Sequence, residues 1–321
     1  MKKEKFTDVF AEIYRKHALE LDGLRKIALI KVILVIFITV GVDIFFVSNF
    51  VSNEFSILLM FLLLCCSVYF DNFLIKKILK EYADTFKTAV LQRLIYSKNE
   101  NYVYIPEKGV DAEEYLISGF ERIWDFFYSE DKIEGKINSV VDFKMSQVKT
   151  EDILEDNGIK TKVVDFQGLY GMLILPNTVG GTLEIIPNSN ANKFSNDRVN
   201  FETEKFEEYY DVITEDKIWA AQIINSETIK NLIEIKEILK SPVTIKIENN
   251  RIFFKAECGG VFEPSPLIRP VNFTTLYRYY RIIDIPRYIY ESLAYNISRV
   301  DNDKELKKVI REENKKTSDW Q

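Results

Sequence analysis

Histidine is almost absent from this chain: a single one, His17, stands ahead of the first apolar run. No histidine general base and no multi-histidine metal site can therefore exist in the rest of the protein. Cysteine is nearly as scarce. Cys65 and Cys66 are adjacent in an apolar run and Cys258 stands alone, so there is neither a disulfide framework nor a zinc-ligand spacing, which fits a reducing compartment. An excess of positive charge is lacking too. The formal net charge is −6, which argues against a nucleic-acid partner, because that interaction needs a basic footprint. No phosphate-loop or dinucleotide glycine pattern occurs, and no cofactor is implied.

What is present is hydrophobic and unevenly placed. Apolar residues make up 47% of the chain and charged ones 29%, enough charge to exclude a polytopic transporter. Two runs, 27–47 and 55–75, are broken only by Lys31, Asp43 and Asp71. At about 21 residues each, a helix through either spans about 30 Å of hydrocarbon. A cleaved signal peptide fits the first run poorly, because no small-residue cleavage site follows and a second apolar run comes at once. The reading is a two-helix transmembrane hairpin. Lysines and arginines flank it on both outer sides, from Lys2 to Lys26 and at Lys76, Lys77 and Lys80, while the turn 48–54 has none. The positive-inside rule places both termini and the globular domain in the cytoplasm of a bacterial cytoplasmic membrane. Asp43 reads as an interfacial carboxylate or as an intramembrane polar contact in an oligomer.

Beyond the hairpin the sequence predicts an α+β protein. Residues 1–26 form a cytoplasmic amphipathic segment with a stripe of Phe6, Phe10, Ile13 and Tyr14. Residues 76–97 form a helical stalk, in which Leu74, Ile78, Tyr82, Phe86, Val90 and Leu94 recur every four positions. Residues 98–300 form one domain with a largely antiparallel sheet, and 301–321 a charged tail. Asp111 and Glu114 suggest a capping box, and Leu116, Phe120, Ile123, Trp124 and Phe127 follow at helical spacing. Alternation predicts strands around 141–146, 164–174 and 182–186, and a hairpin turning at Asn249-Asn250. Thr214 and Ser226 are the expected caps of two helices, and a last helix from Thr274 to Arg299 is expected to kink at Pro286.

Several segments together resemble the bacterial domain-of-unknown-function family 3137. They are the stretch from Phe201 to Ile235 (FETEKFEEYYDVITEDKIWAAQIINSETIKNLIEI), YSEDKIEGKI from Tyr128, VVDFQGLYGMLIL from Val163, and Val261-Phe262-Glu263. The resemblance implies a membrane hairpin and, as a partner, a LemA-type membrane protein. It implies no activity, so no catalytic, cofactor or metal residues are carried over.

Candidate sites follow from the residues alone. Glu202, Glu204, Glu207 and Glu208, like Glu151, Asp152, Glu155 and Asp156, lack the spacing of a calcium loop and read as solvated faces. Cys258 beside two glycines has no base to make it a nucleophile. The stretch from Tyr277 to Tyr290 interleaves Arg278, Arg281 and Arg287 with tyrosines that include Tyr277 and Tyr288. It reads either as a core-packed helix or as a contact for anionic lipid or a phosphorylated ligand. The expected function is a membrane-tethered binding or scaffolding module for a protein partner or for self-association. The alternatives are a sensor of anionic lipid and an enzyme without a recognisable motif.

Overall fold

The computed structural model describes residues 19–50, 54–156, 158–189, 195–201, 203–264, 266–270 and 273–302, together with Asp8, Ala11, Glu12 and Arg15. The expected stripe from Phe6 to Tyr14, His17, Glu202 and most of the tail lie outside these residues. The chain divides into two units: Met1–Ser97 with Phe262–Tyr277, and Lys98–Val261 with Arg278–Gln321.

The first unit is helical. Helix α1 (Leu19–Phe50) and helix α2 (Glu54–Phe86) pair antiparallel. The pairing is fixed by polar contacts at matched heights: Thr39 with Asp71, Ser67 with Asp43, and Lys31 with Glu81. The stretch Asp22–Ser48 is the one helix among the described residues that is long and apolar enough to cross a membrane. It buries almost nothing; Phe37, Ile44 and Phe45 are exposed, as hydrocarbon-facing residues are and core residues are not. The second expected span, 55–75, does not meet this standard among the described residues. Its run is the first part of α2, which continues without a break into the charged stretch after Ile75, and several side chains of its opening turns lie outside the described residues. Further along α2 the apolar stripe sinks inward. Tyr82 and Ile78 pack with Ala28, Leu29, Val32 and Leu267, and Arg25 donates to the Leu267 carbonyl at 2.5 Å. A short π-helical stretch, Lys87–Leu91, leads into α3 (Gln92–Lys98).

The second unit is built on one antiparallel sheet. In chain order its strands are β1 (Val103–Ile105), β2 (Phe126–Ile137), β3 (Val141–Asp156), β4 (Ile159–Ile174), β5 (Leu183–Pro187), β6 (Arg198–Val199), β7 (Tyr210–Ile213), β8 (Thr244–Glu248) and β9 (Arg251–Glu257). They lie in the order β1-β2-β3-β4-β9-β8-β5-β7-β6. Two glycines let β9 come close to β4. A Cβ on Gly168 would sit 1.9 Å from the Ala256 carbonyl oxygen, and one on Gly171 2.2 Å from the Phe254 ring.

One sheet face carries Val148, Phe166, Tyr170, Met172 and Phe253. It is covered by Tyr115, Phe120 and Trp124. Here the expected long helix is corrected. Helix α4 spans only Ala112–Ile117, because Gly119 turns the chain at φ +67°, and Phe126 and Phe127 already belong to β2. The helical spacing of Phe120, Trp124 and Phe127 is a burial pattern without a helix. The Asp111 side chain makes no cap, and Glu114 pairs instead with Lys144 at 2.5 Å.

The opposite face carries Met145, Leu169, Leu173 and Phe254, all buried. Helix α5 (Glu204–Tyr209) precedes β7, and α6 (Lys217–Ile223) and α7 (Ser226–Leu239) follow it. The caps are shifted from the expected residues. Asp216, not Thr214, accepts from the Trp219 N–H at 2.8 Å, while the Thr214 hydroxyl donates to the Thr182 carbonyl. Asn225, not Ser226, accepts from the N–H groups of Glu227 and Thr228. Tyr210 donates to the Leu232 carbonyl at 3.2 Å and so holds α7 to the sheet. Leu232 is fully buried. Leu232→Asp removes about 2 kcal/mol of burial and strands a charge. It should lower the thermal midpoint of the detergent-solubilised chain by many degrees; an unchanged melting curve would contradict this packing.

Candidate functional site

The arginine–tyrosine stretch closes the second unit. Its helix does not kink once at Pro286 as expected. Helix α8 (Phe273–Ile282) ends, and α9 (Ile285–Ile289) restarts with Pro286 in its first turn, where proline's missing N–H costs nothing. Arg278 donates to the carbonyls of Ile238 and Leu239 at 3.2 and 3.3 Å, closing the C-terminus of α7. Arg281 pairs with Glu234, and its guanidinium lies 5.7 Å from the Tyr288 ring. Arg287 lies 3.6 Å from Asp284 and 3.9 Å from Glu291. Tyr288 is half-buried, and burial pushes its phenol up. Tyr277 stacks on Phe273, with centroids 5.8 Å apart. Arg278 and Arg281 are thus engaged by carbonyls and a carboxylate, whereas Arg287 is 38% exposed and its two carboxylate contacts are longer than hydrogen bonds.

The same stretch holds a residue that no motif announced. Lys98 places its ammonium 2.5 Å from Asp284 and 3.0 Å from the centre of the Tyr280 ring; the lysine and aspartate side chains are 5% and 6% exposed. Burial lowers the lysine pKa to about 7 against the pull of Asp284, with Arg287 and Arg281 adding to the depression. Burial likewise raises the Tyr280 phenol to about 12. Further along the chain, Asn296 donates to the Ile223 and Ser292 carbonyls, and Thr228 donates to the Ser292 carbonyl. The last helical segment is thus bolted to α7 by polar groups inside the unit.

The acidic groups are structural. Glu207 accepts from the Phe201 N–H at 2.5 Å, and Glu204 and Glu208 face solvent. The buried Asp211 accepts from Arg198 at 2.8 Å and from the Ser189 N–H at 3.0 Å. Cys258 is half-buried, and burial pushes its thiol up, away from the thiolate a nucleophile needs. Asp43, in α1, meets the Ser67 hydroxyl at 3.1 Å.

A further exposed apolar surface of the second unit lies elsewhere. Strands β3 and β4 outrun their neighbours: β2 pairing ends at Phe126↔Glu151 and β9 pairing at Gly168↔Glu257. Past those points the two strands pair only with each other, through Asp152↔Val163 to Asp156↔Ile159. The turn contains Gly158 at φ +80°, a conformation glycine supplies freely. The root is latched, since Asp125 accepts from the Ile153 N–H at 2.7 Å and Asp152 accepts from the Asp125 N–H at 3.1 Å. The register sorts the arm into two unlike faces. One carries Glu151, Glu155, Lys160 and Lys162, with Glu151–Lys162 at 3.5 Å and Glu155–Lys160 at 3.8 Å. The other carries Leu154, Ile159 and Val163, of which Leu154 is 58% and Ile159 69% exposed, beside Asp152 and Asp156. Ile123, next to the latch, is 86% exposed.

These features define a class, an antiparallel-sheet domain carried on a long helical hairpin, one helix of which has the length and composition of a membrane span. Residues 164–294 match the model of a family described as "Protein of unknown function (DUF3137)". The match runs from Val164 in β4 to the last helical segment, and leaves β3, the β4 part of the arm and both long helices outside it. No curated protein matches the chain. Among solved structures, the mycobacterial trehalose monomycolate transport factor A, TtfA, aligns over 61% of this chain and 92% of its own, at 10% identity and a TM-score of 0.31, a likeness too low to carry an argument.

The buried lysine makes a pH prediction. A lysine whose pKa falls to about 7 on folding binds fewer protons than the unfolded chain between that value and its ordinary one. Stability that burial withholds at neutral pH should therefore return as pH rises towards the ordinary lysine value. The melting temperature of the native chain should rise relative to that of Lys98→Met between neutral and alkaline pH; parallel curves would show that Lys98 keeps its ordinary titration.

Proposed function

We propose that this chain is a membrane-tethered scaffold whose cytoplasmic domain offers the β3–β4 arm to a protein partner. The single observation that carries the reading is the arm itself, a strand pair with open edges and one exposed apolar face, latched at its root. An open, apolar-faced edge is a template for an added strand, and natural proteins normally blunt such edges with charge or cover. Here the ion pairs Glu151–Lys162 and Glu155–Lys160 lie on one face of the arm, and the other face holds Leu154, Ile159 and Val163 with Asp152 and Asp156. The partner that fits is an extended segment with alternating apolar residues, laid along the outer edge of Ile159–Phe166. Its apolar residues would meet Ile159 and Val163.

The tether is the helical hairpin. Support comes from the exposed apolar length of Asp22–Ser48, from the equal spacing of the second run, and from the basic residues on both outer flanks. In this reading both runs cross the bilayer and both termini are cytoplasmic.

Photo-cross-linkers placed at Leu154 and Ile159 in cells should each give a discrete adduct. A probe at Lys160, on the ion-paired face, should not. Val163→Asp should abolish the adducts without changing the amount of chain in the membrane. Arm probes that cross-link no better than the one at Lys160 would sink the proposal.

A further inference from the structure

Between α1 and α2 runs a groove of about 590 Å³, lined by Thr39, Asp43, Phe46, Cys65, Cys66 and Ser67 among other apolar residues. Two polar pairs lie at this level. Ser67 bonds Asp43 at 3.1 Å and Thr39 bonds Asp71 at 2.7 Å. Both hydroxyls are also within hydrogen-bond reach of carbonyls on their own helices, Leu64 for Ser67 and Val35 for Thr39. A hydroxyl has one hydrogen to give, whereas each carboxyl group has two oxygens and about four acceptor positions. Hydrocarbon offers nothing to satisfy the remainder. The two apolar runs contain one basic residue, Lys31, and it lies 3.8 Å from Glu81, well away from Asp43.

We infer that this groove is a homodimer interface, completed by the α1–α2 hairpin of a second copy. The inference rests on the reading that the hairpin lies in the bilayer. A second copy fits because of depth. A two-fold axis along the membrane normal sets every residue opposite itself at the same height, so a polar pair in mid-helix finds another polar pair by symmetry. Two Asp43 side chains then face each other across the axis, and each copy's Ser67 supplies a hydroxyl beside them. The small side chains of Ser67, Cys65 and Cys66 allow the helices to approach closely, the usual condition for association in lipid, where no hydrophobic force draws helices together.

The interface carries its own reporters, since Cys65 and Cys66 are exposed in the groove. The full chain in native membranes, in a Cys258→Ser background, is treated with copper–phenanthroline. A disulfide-linked species of twice the chain mass should form and should vanish in Cys65→Ser/Cys66→Ser. Asp43→Leu should weaken the dimer about fivefold to tenfold, the factor that an interhelical hydrogen bond supplies in lipid. That substitution makes the helix more apolar, so the variant should stay in the pellet after alkaline carbonate extraction. A chain that yields no cross-link and has the mass of one copy in mild detergent overturns the inference, as does a dimer indifferent to Asp43→Leu. A cross-linked species whose mass requires a different protein also overturns it and assigns the groove to a foreign helix. Release of the unmodified chain by carbonate instead overturns the membrane reading on which the inference stands.

Discussion

The pairing of β3 with β4 is the interaction on which the rest of the second unit depends. It runs unbroken in partnership, with one bulge at Thr150/Glu151, from Asp142↔Ile174 to Asp156↔Ile159. Its inner half is the middle of the sheet. Val148, Phe166 and Tyr170 give one face its aromatic core, and Met145, Leu169 and Leu173 are buried on the other. Its outer half leaves the sheet and becomes the arm. The bulge moves the register by one residue between core and arm, and a slip in either part would turn Val148 out of the core or Leu154 to the ion-paired side. The latch through Asp125 fixes where one function of the hairpin ends and the other begins.

The last helical segment is fixed by polar contacts rather than by apolar area alone. Arg278 closes the end of α7, Arg281 reaches Glu234, and Lys98 is sunk against Asp284 and Tyr280. Breaking such a buried pair by removing one partner costs far more than the pair contributes, so these groups impose a specific arrangement on the packing. Arginines interleaved with tyrosines suggest phosphate or lipid on composition alone. In the folded unit the same chemistry is directed at helix carbonyls and carboxylates.

Much of the fold was legible in the sequence because it rests on periodicity. The strand alternation of 164–174, the Asn249-Asn250 hairpin and the apolar stripe of α7 all stand in the structure. The errors came where two patterns coincide. Phe120, Trp124 and Phe127 have helical spacing, yet Gly119 has already ended the helix. The caps moved by one or two residues because Thr214, Asp216, Asn225 and Ser226 are all competent caps, and tertiary hydrogen bonds decide between them. The arm was hidden because its charges, Glu151, Asp152, Glu155 and Asp156, read as a solvated face. The dipeptide Asn157-Gly158, a strong hairpin signal, could have exposed it. Lys98 had no such signal: one lysine at a helix end looks the same whether it meets water or Asp284.

In the proposed reading the helical hairpin tethers a sheet whose β3–β4 arm offers an unpaired strand edge. The central claim is that the arm is covered in the working protein. Hydrogen exchange of the chain tests this most directly, with the protein in its native membrane compared against the protein purified in mild detergent. Amides of Asp152–Asp156 and Ile159–Val163 should exchange markedly more slowly in the membrane, while those of the sheet interior around Val148 and Leu169 stay equally protected in both. Equal exchange of the arm amides in the two settings would mean that nothing covers it, and would contradict the account.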